Sequence, residues 1–146
     1  METKKKEIKK MNEVIIDGNF VPLGRIGAFA AKKALRGNKV SIINTEKIII
    51  IGNPKITLNR YLEKFRWGIG NPSKPIFFKD PIKMVKRSIR GMIRFKKTTG
   101  QEAFKKITCY LGAPKEFEGK EVAKLEKKDP LAYITIEELM KLISQK

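Results

Sequence analysis

The chain has 146 residues, enough for one domain with its own core, and a net charge of +18 from 33 basic and 15 acidic side chains. This excess favours a polyanionic partner, nucleic acid first and an anionic membrane surface second, although no apolar run approaches the roughly 18 residues of a membrane-spanning helix. With no histidine and one cysteine, Cys109, the sequence excludes an internal disulfide, an ordinary zinc site and a histidine-dependent nucleophile.

The first third of the chain predicts an α/β fold. Residues 1–11 are rich in lysine and poor in apolar side chains, so we expect a basic flexible tail and not a secretory signal. The segment EVIIDG, residues 13–18, predicts a buried strand. Residues 24–39 have apolar side chains at helical spacing, and residues 39–44 (KVSIIN) predict a second strand. Strand, helix and strand at this spacing predict two parallel strands joined by a crossover helix.

The next elements are a strand, a helix and a loop. The continuous β-branched run KIIIIG, residues 47–52, predicts a third strand that is covered on both faces. Residues 53–68 predict a helix with proline near its start. Residues 69–81 contain three of the seven prolines and predict a long surface loop, of the kind that often binds a ligand. The expected inward side chains of the helix are Ile56, Leu58, Leu62 and Phe65.

A basic amphipathic helix is predicted over residues 80–93, with Asp80 as the N-cap and Pro81 at the first helical position. At about 100° per residue, two stripes run side by side along it. The apolar stripe comprises Ile82, Val85, Ile89 and Met92. The basic stripe comprises Lys83, Lys86, Arg87, Arg90 and Arg94.

The remaining chain predicts a short helix over residues 100–106 and a last strand over residues 107–112 that completes the sheet. From there the sequence becomes charged and turn-like until a terminal helix over residues 135–144, whose first turn has a capping box. We therefore expect residues 12–114 to form a single α/β RNA-binding domain and residues 115–146 a charged extension that ends in a helix.

The charge of the central segment favours phosphate binding. From Lys79 to Lys97 there are eight basic residues and one acid, Asp80, whereas a solvated helix face normally mixes both signs. Arginine suits bidentate phosphate contacts, and lysine acts as a point charge. Trp67, Phe77 and Phe78 alternate with cations, a pattern that fits base stacking on irregular RNA and fits core packing about equally.

The segment GNFVPLGRIG lies between the first strand and helix, where a dinucleotide-binding loop would lie. Its glycines, Gly18, Gly24 and Gly27, do not have the G-x-G-x-x-G spacing, so tight turns and close helix packing are the favoured interpretation. Arg25 stands at the helix N-terminus, where one phosphate could bind. A Rossmann-type nucleotide-binding enzyme and a free-standing mRNA-binding translational regulator remain alternatives to a structural RNA-binding protein.

The tail lysines and the central segment FKDPIKMVKRSIRGM resemble the archaeal and eukaryotic branch of one ribosomal protein family, and two other stretches together resemble that family as a whole, the L-thirteen family of large-subunit ribosomal proteins. These two stretches are VIIDGNFVPLGRIGAFAAKKALRGNKVSIINTEKIIIIG and RGMIRFKKTTGQEAFKKITCYLGAP, and the resemblance covers about residues 13–114. In the second stretch Arg-Gly-Met at 90–92, Gly100 and Tyr-x-Gly-x-Pro at 110–114 match in order and spacing. The family usually has proline where Arg94 stands, so here the central helix is free to continue.

The resemblance implies a three-layer α/β/α sandwich around a mainly parallel four-stranded sheet. It also implies a non-catalytic, cytoplasmic protein that binds large-subunit rRNA and stabilises its folding during assembly. The expected partners are that rRNA and neighbouring ribosomal proteins, with no cofactor, metal, membrane or small-molecule substrate.

The resemblance further implies that Arg25, Arg90 and Lys97 face the RNA. Helix geometry and neighbouring cations extend this set. The predicted RNA-binding residues are Arg25, Lys32, Lys33, Arg36, Arg66, Trp67, Lys74, Lys79, Lys83, Lys86, Arg87, Arg90, Arg94, Lys96 and Lys97.

Overall fold

The structure is a computed structural model that describes residues 12–67, 70, 73, 75–127 and 129–145. The predicted tail, residues 1–11, and the predicted RNA-binding residue Lys74 lie outside the described residues. Helices and strands follow in the order β1 (Glu13–Asp17), α1 (Leu23–Leu35), β2 (Lys39–Ile43), β3 (Ile49–Ile51), α2 (Pro54–Arg66), α3 (Pro81–Met92), α4 (Thr98–Lys105), β4 (Ile107–Cys109), β5 (Val122–Ala123), β6 (Tyr133–Thr135) and α5 (Ile136–Ser144). Within the described part of the chain, no helix is both long enough and apolar enough to cross a membrane.

The main sheet has four strands in the order β4-β2-β1-β5, and every neighbouring pair is parallel. β1 and β2 are adjacent and in register, with Val14 opposite Val40, and α1 connects them as predicted. Most of the core lies on the face of the sheet that meets α1, α3 and α4, and the buried side chains of α5 belong to the same cluster. On the other face Ile15 and Ile43 pack against Phe117 of a short 3-10 helix. The predicted α/β/α class with a parallel four-stranded sheet is therefore confirmed, and the second outer layer is thin.

The run of four isoleucines does not join the main sheet. Its strand, β3, pairs antiparallel with β6 in a separate two-stranded sheet, and Ile51 is 52% exposed, so the prediction of a strand covered on both faces is wrong. Four consecutive apolar residues contain no alternation that could indicate which partner or which face they take. The fourth strand of the main sheet is β5, a two-residue strand inside the segment predicted to be turn-like.

Residues after position 114 contribute to the same core. β5 pairs with β1, and Ile136, Leu139 and Ile143 of α5 are fully or almost fully buried. The predicted capping box is present: Glu138 N donates to Thr135 Oγ1 at 3.2 Å, and Thr135 N donates to Glu138 Oε2 at 3.4 Å. The division of the chain at residue 114 remains a prediction about domain organisation.

α2 is rotated relative to the predicted inward face. Leu58, Leu62 and Phe65 are half-buried as expected, but Ile56 is 60% exposed and Thr57 is buried in its place. The apolar residues of α2 are too sparse to determine the phase of the helix, because lysines and arginines separate them.

α3 begins as the sequence predicts and ends earlier. Asp80 Oδ1 accepts a hydrogen bond from Ile82 N at 3.0 Å, and Pro81 occupies the first turn. The helix ends at Met92 because Ile93 adopts an extended backbone and is buried, so the absence of proline at position 94 does not prolong it. Of the predicted apolar stripe, Val85 and Ile89 are buried and Ile82 is half-buried, but Met92 at the end of the helix is 44% exposed. Met84, which was not predicted, is buried as well.

Candidate nucleic-acid interface

The basic stripe of α3 borders a groove that is lined by aromatic rings. We call it the ring groove; its volume is about 490 Å³, and its walls come from α2, the segment before α3, α3 itself, the turn after it and α4. Its rings are Tyr61, Phe65, Phe77, Phe78, Phe95 and Phe104. Its cations are Lys64, Lys83, Lys86, Arg87 and Arg90. Such a site offers both apolar surface and positive charge to a ligand.

Arg87 is held in place on one wall of the ring groove. Its guanidinium carbon lies 3.9 Å from the centroid of the Phe77 ring, within the range of a cation–π contact. Its Nη1 also donates to the backbone oxygen of Ile76 at 3.0 Å. The segment before α3 therefore folds back along the helix and fixes the position of this arginine.

Other cations of the groove lie over rings in the same way. The guanidinium carbon of Arg90 lies 4.2 Å from the ring centroid of Phe95. Lys83 Nζ lies 4.3 Å from the centroid of Phe78. On α2, Lys64 Nζ lies 5.0 Å from the Tyr61 ring and 5.9 Å from the Phe77 ring. A cation held over a ring loses part of its side-chain freedom before any ligand arrives.

The rings are themselves supported by edge-to-face contacts. Phe77 is half-buried and meets Phe65 at 6.1 Å and Trp67 at 6.4 Å between centroids. Phe95 meets Phe104 of α4 at 5.4 Å. Trp67 and Phe78 remain exposed. The aromatic residues thus line an open surface groove next to the core, which accounts for their interleaving with cations in the sequence.

A second groove continues from the first along the turn after α3. We call it the turn groove; its volume is about 610 Å³, and it shares Arg87, Arg90 and Phe95 with the ring groove. Its further cations are Arg94, Lys96 and Lys97. The basic stripe of α3 therefore continues onto the turn as one cationic surface.

The described residues that line this surface are cationic, aromatic or uncharged. Among the described residues, neither groove is lined by an aspartate or a glutamate. The ion pairs found among all described residues involve cations outside the two grooves, namely Arg25, Lys39, Lys120 and Lys141. Like charges three and four residues apart on α3 consequently repel one another without a counter-charge in the described protein.

The chain is similar in sequence to a known protein family over most of its length. A family model described as ribosomal protein L13 matches residues 11–116. The chain belongs to this family. The large ribosomal subunit protein uL13 of Methanosphaera stadtmanae is 39% identical to it over 119 residues, which are 80% of this chain and 84% of that protein. The uL13 of Methanocaldococcus jannaschii is 35% identical over 135 residues, 90% and 98% of the two chains. The uL13 of Haloarcula marismortui is 33% identical over 129 residues, 87% and 88% of the two chains.

These relatives are archaeal, as the archaeal and eukaryotic character of the sequence predicts. Of the three cations implied by the resemblance to the family, Arg90 and Lys97 lie on the two grooves. Arg25 lies elsewhere, at the start of α1, where its Nη1 is 3.5 Å from Glu126 Oε2. The family positions thus fall on more than one surface of the structure.

The structure brings together about half of the predicted RNA-binding residues. The residues on the two grooves are Lys83, Lys86, Arg87, Arg90, Arg94, Lys96 and Lys97. Trp67 follows α2 and contacts Phe77 at the edge of the ring groove, and Arg66 is exposed at the end of the same helix.

Other predicted residues lie apart from the grooves. Lys32, Lys33 and Arg36 belong to the second half of α1 and its C-cap and line neither groove, and Lys33 Nζ lies 5.3 Å from the Phe29 ring. Lys79 Nζ donates to the backbone oxygen of Ile143 at 3.3 Å, so this amine binds the end of α5.

Several residues of the ring groove were not predicted from the sequence as binding residues: Tyr61, Lys64, Phe65, Phe95 and Phe104. Phe95 stands among Arg94, Lys96 and Lys97 in the sequence. This is the same alternation of ring and cation that favours base stacking at Phe77, so the sequence did contain a signal for Phe95. Lys64 gave no comparable signal, because its position on the groove depends on how α2 packs.

The glycine loop after β1 serves packing. A Cβ added at Gly18 would lie 2.8 Å from Ile48 Cγ1 and 2.9 Å from Asn44 O, and one added at Gly27 would lie 2.7 Å from Met92 Sδ. Gly18 is therefore restricted to glycine by a backbone atom, whereas at Gly27 the neighbour is the end of the flexible Met92 side chain, which is 44% exposed and can move. Close packing at both positions agrees with the packing interpretation. At Gly24 an added Cβ would meet no atom within 4 Å.

Polar groups at the carboxyl ends of β1 and β2 already have partners inside the protein. Asp17 Oδ1 accepts from Asn19 N at 3.0 Å and from Asn44 Nδ2 at 2.9 Å. Glu46 Oε2 accepts from Gly112 N at 3.0 Å. This edge is where α/β enzymes bind nucleotides, and here its carboxylates stabilise loops.

Cys109 is a buried thiol on β4. Burial raises the pKa of the Cys109 thiol to about 12, and the nearby charge of Lys86 opposes the shift without overcoming it. The thiol is therefore protonated and unreactive in the folded protein.

Proposed function

We propose that this protein is a non-catalytic structural constituent of the cytoplasmic large ribosomal subunit, which binds large-subunit rRNA through the two grooves and stabilises its fold during assembly. The observation that most directly supports this proposal is the cationic surface of α3 and the following turn, which has no carboxylate among the described residues that line it. Family membership supports it independently, since the relatives are named large ribosomal subunit proteins.

Phosphate is the ligand that best matches this surface. Cations recur along α3 at spacings of three and four residues, namely Lys83, Lys86, Arg87 and Arg90, and each like-charged pair opposes the helix by about 0.2–0.5 kcal/mol. An RNA backbone removes that repulsion and releases counterions on binding. Because folded rRNA is recognised mainly through its shape and its phosphates, a rigid row of cations suits it.

Neighbouring ribosomal proteins are the second partner that we propose. An exposed apolar area lies at the two-stranded sheet of β3 and β6, where Ile51 is 52% and Tyr133 is 40% exposed. The ring of Phe20 meets Tyr133 edge to face at 6.2 Å, which enlarges this area. Neighbouring exposed apolar side chains of this kind are suited to contact with another protein.

The salt dependence of binding to large-subunit rRNA tests the proposed function. The test variant replaces Arg87, Arg90 and Arg94 with alanine together. Each phosphate contact contributes about 0.7 to 0.9 to the slope of log K against log salt, so we expect the slope to fall by about two to three units.

A matched variant controls for the loss of three charges. Lys115, Lys124 and Lys127 are exposed and line neither groove, and their replacement with alanine changes the net charge by the same amount. We expect this control to leave the slope within about one unit of the unchanged protein. If the arginine variant keeps both its circular dichroism spectrum and the original slope, the grooves do not contact rRNA phosphates.

A further inference from the structure

The ring groove has a property that phosphate binding does not require. Exposed cations are sufficient to bind phosphates, and here the exposed Arg87 and Arg90 have a further contact: their guanidinium carbons lie 3.9 and 4.2 Å from the ring centroids of Phe77 and Phe95. Both arginines line the ring groove and are exposed, so each is supported by a phenylalanine ring and remains accessible to a ligand. An arginine supported in this way presents a planar surface on which a nucleobase can stack.

We propose that the ring groove binds an unpaired base of RNA, which stacks on the supported guanidinium of Arg87 or Arg90 while Lys64 and Lys83 bind the flanking phosphates. This inference rests on the proposed function and specifies which feature of the RNA the site recognises. A volume of about 490 Å³ is sufficient for one nucleotide, since small-ligand pockets span roughly 300–1,000 Å³.

The composition of the groove favours an unpaired base over a duplex. A paired helix presents phosphates and sugars outward and encloses the faces of its bases, so it can satisfy the lysines but cannot cover the rings. An unpaired nucleotide presents a charged backbone and a planar apolar base together. The groove has the same two features: Phe77 and Phe95 lie beneath arginines, Phe104 supports Phe95, and no carboxylate is among the described residues of its wall.

Two short RNA hairpins test the proposal on the full-length protein. One contains a single bulged aminopurine in the stem, and the other has the same stem fully paired. We expect the bulged hairpin to bind about fivefold to a hundredfold more tightly, the range that stacking of one base contributes. We also expect quenching of the aminopurine fluorescence, because the base leaves water and stacks.

The protein supplies its own second probe. Trp67 is the single tryptophan of the chain, and its ring lies 6.4 Å from that of Phe77. A base that enters the ring groove changes the environment of Trp67, so its emission should change with the bulged hairpin and stay constant with the paired one.

Charge-preserving variants separate stacking from electrostatics. In one variant Phe77→Leu and Phe95→Leu remove the rings beneath both arginines; in a second, Arg87→Lys and Arg90→Lys keep the charge and remove the planar group. We expect both to lose the preference for the bulged hairpin and to keep the salt slope for the paired one. The second variant leaves the rings intact, so it remains informative if the first fails to fold.

Phe29→Leu is the matched control, because Phe29 also lies under a cation, Lys33, but on α1 and away from the groove. It should retain the full preference. Equal binding of the two hairpins, or a preference that survives both charge-preserving variants, overturns the inference while the proposed function stands. Failure of the proposed function has a different outcome: the variant with alanine at positions 87, 90 and 94 then binds rRNA with the same affinity and salt slope as the unchanged protein.

Discussion

Gly100 is predicted to be the position where one methyl group most disturbs the site. It is the third residue of α4, where it faces the turn that follows α3. A Cβ added there would lie 2.1 Å from the backbone oxygen of Arg94, 2.5 Å from its carbonyl carbon and 3.1 Å from Phe95 N. All three are backbone atoms, so no side-chain rotation relieves the contact. Gly100→Ala therefore forces the turn and α4 apart.

The expected cost follows from two opposing effects. Overpacking a rigid site costs about 1–3 kcal/mol, and a contact with backbone belongs to the upper part of that range. Replacing glycine by alanine within a helix contributes about 0.5–1 kcal/mol in the other direction. The net expectation is a loss of about 2 kcal/mol in the free energy of unfolding. For a chain of this size, that lowers the Tm by roughly 4–8 °C.

Urea unfolding followed by circular dichroism measures this change, with Gly91→Ala as the control. Gly91 lies in α3, and a Cβ added there would meet no atom within 4 Å, so alanine should stabilise the protein by about 0.5–1 kcal/mol. The two substitutions are chemically identical and should have opposite signs. If the Gly100→Ala protein is as stable as the Gly91→Ala protein, the backbone of Arg94 does not lie close to position 100 and the reasoning is refuted.

Three further outcomes are expected. Cys109 should react with an alkylating agent at mildly alkaline pH only as the protein unfolds, because burial raises the pKa of its thiol to about 12; mass spectrometry along a urea series checks this. Thr135→Ala should lower the free energy of unfolding by about 1 kcal/mol in urea titrations, since the α5 cap is lost. Glu126→Gln should change it by less than about 1 kcal/mol in the same titrations, because its ion pair with Arg25 is exposed.

The parts of the fold that the sequence predicted well have strong local patterns. α3 has an N-cap at Asp80, a proline in its first turn and apolar side chains at helical spacing, and all three features appear in the structure. The capping box of Thr135 and Glu138 is equally local. Such elements are determined by neighbours in the chain, so a single sequence is sufficient to find them.

The parts that were missed depend on tertiary contacts. β3 consists of isoleucines that would suit either sheet, and its pairing with β6 is fixed by the backbone of residues more than eighty positions later. β5 has only two residues, too few for a pattern. In the same way, the cations of α3 were predictable from helical spacing, but the rings that support them come from α2, α4 and the intervening turns.

The stretch that resembles the family gains a structural explanation residue by residue. Arg90 lies over Phe95 and lines both grooves. Met92 packs where Gly27 of α1 leaves room, which positions α3 against the core. Gly100 admits the backbone of the turn that contains Phe95. Since one short segment contains the contact of α3 with α1, the path of the turn and the ring beneath Arg90, a change in its packing should weaken the RNA binding that we propose even without removing a charge.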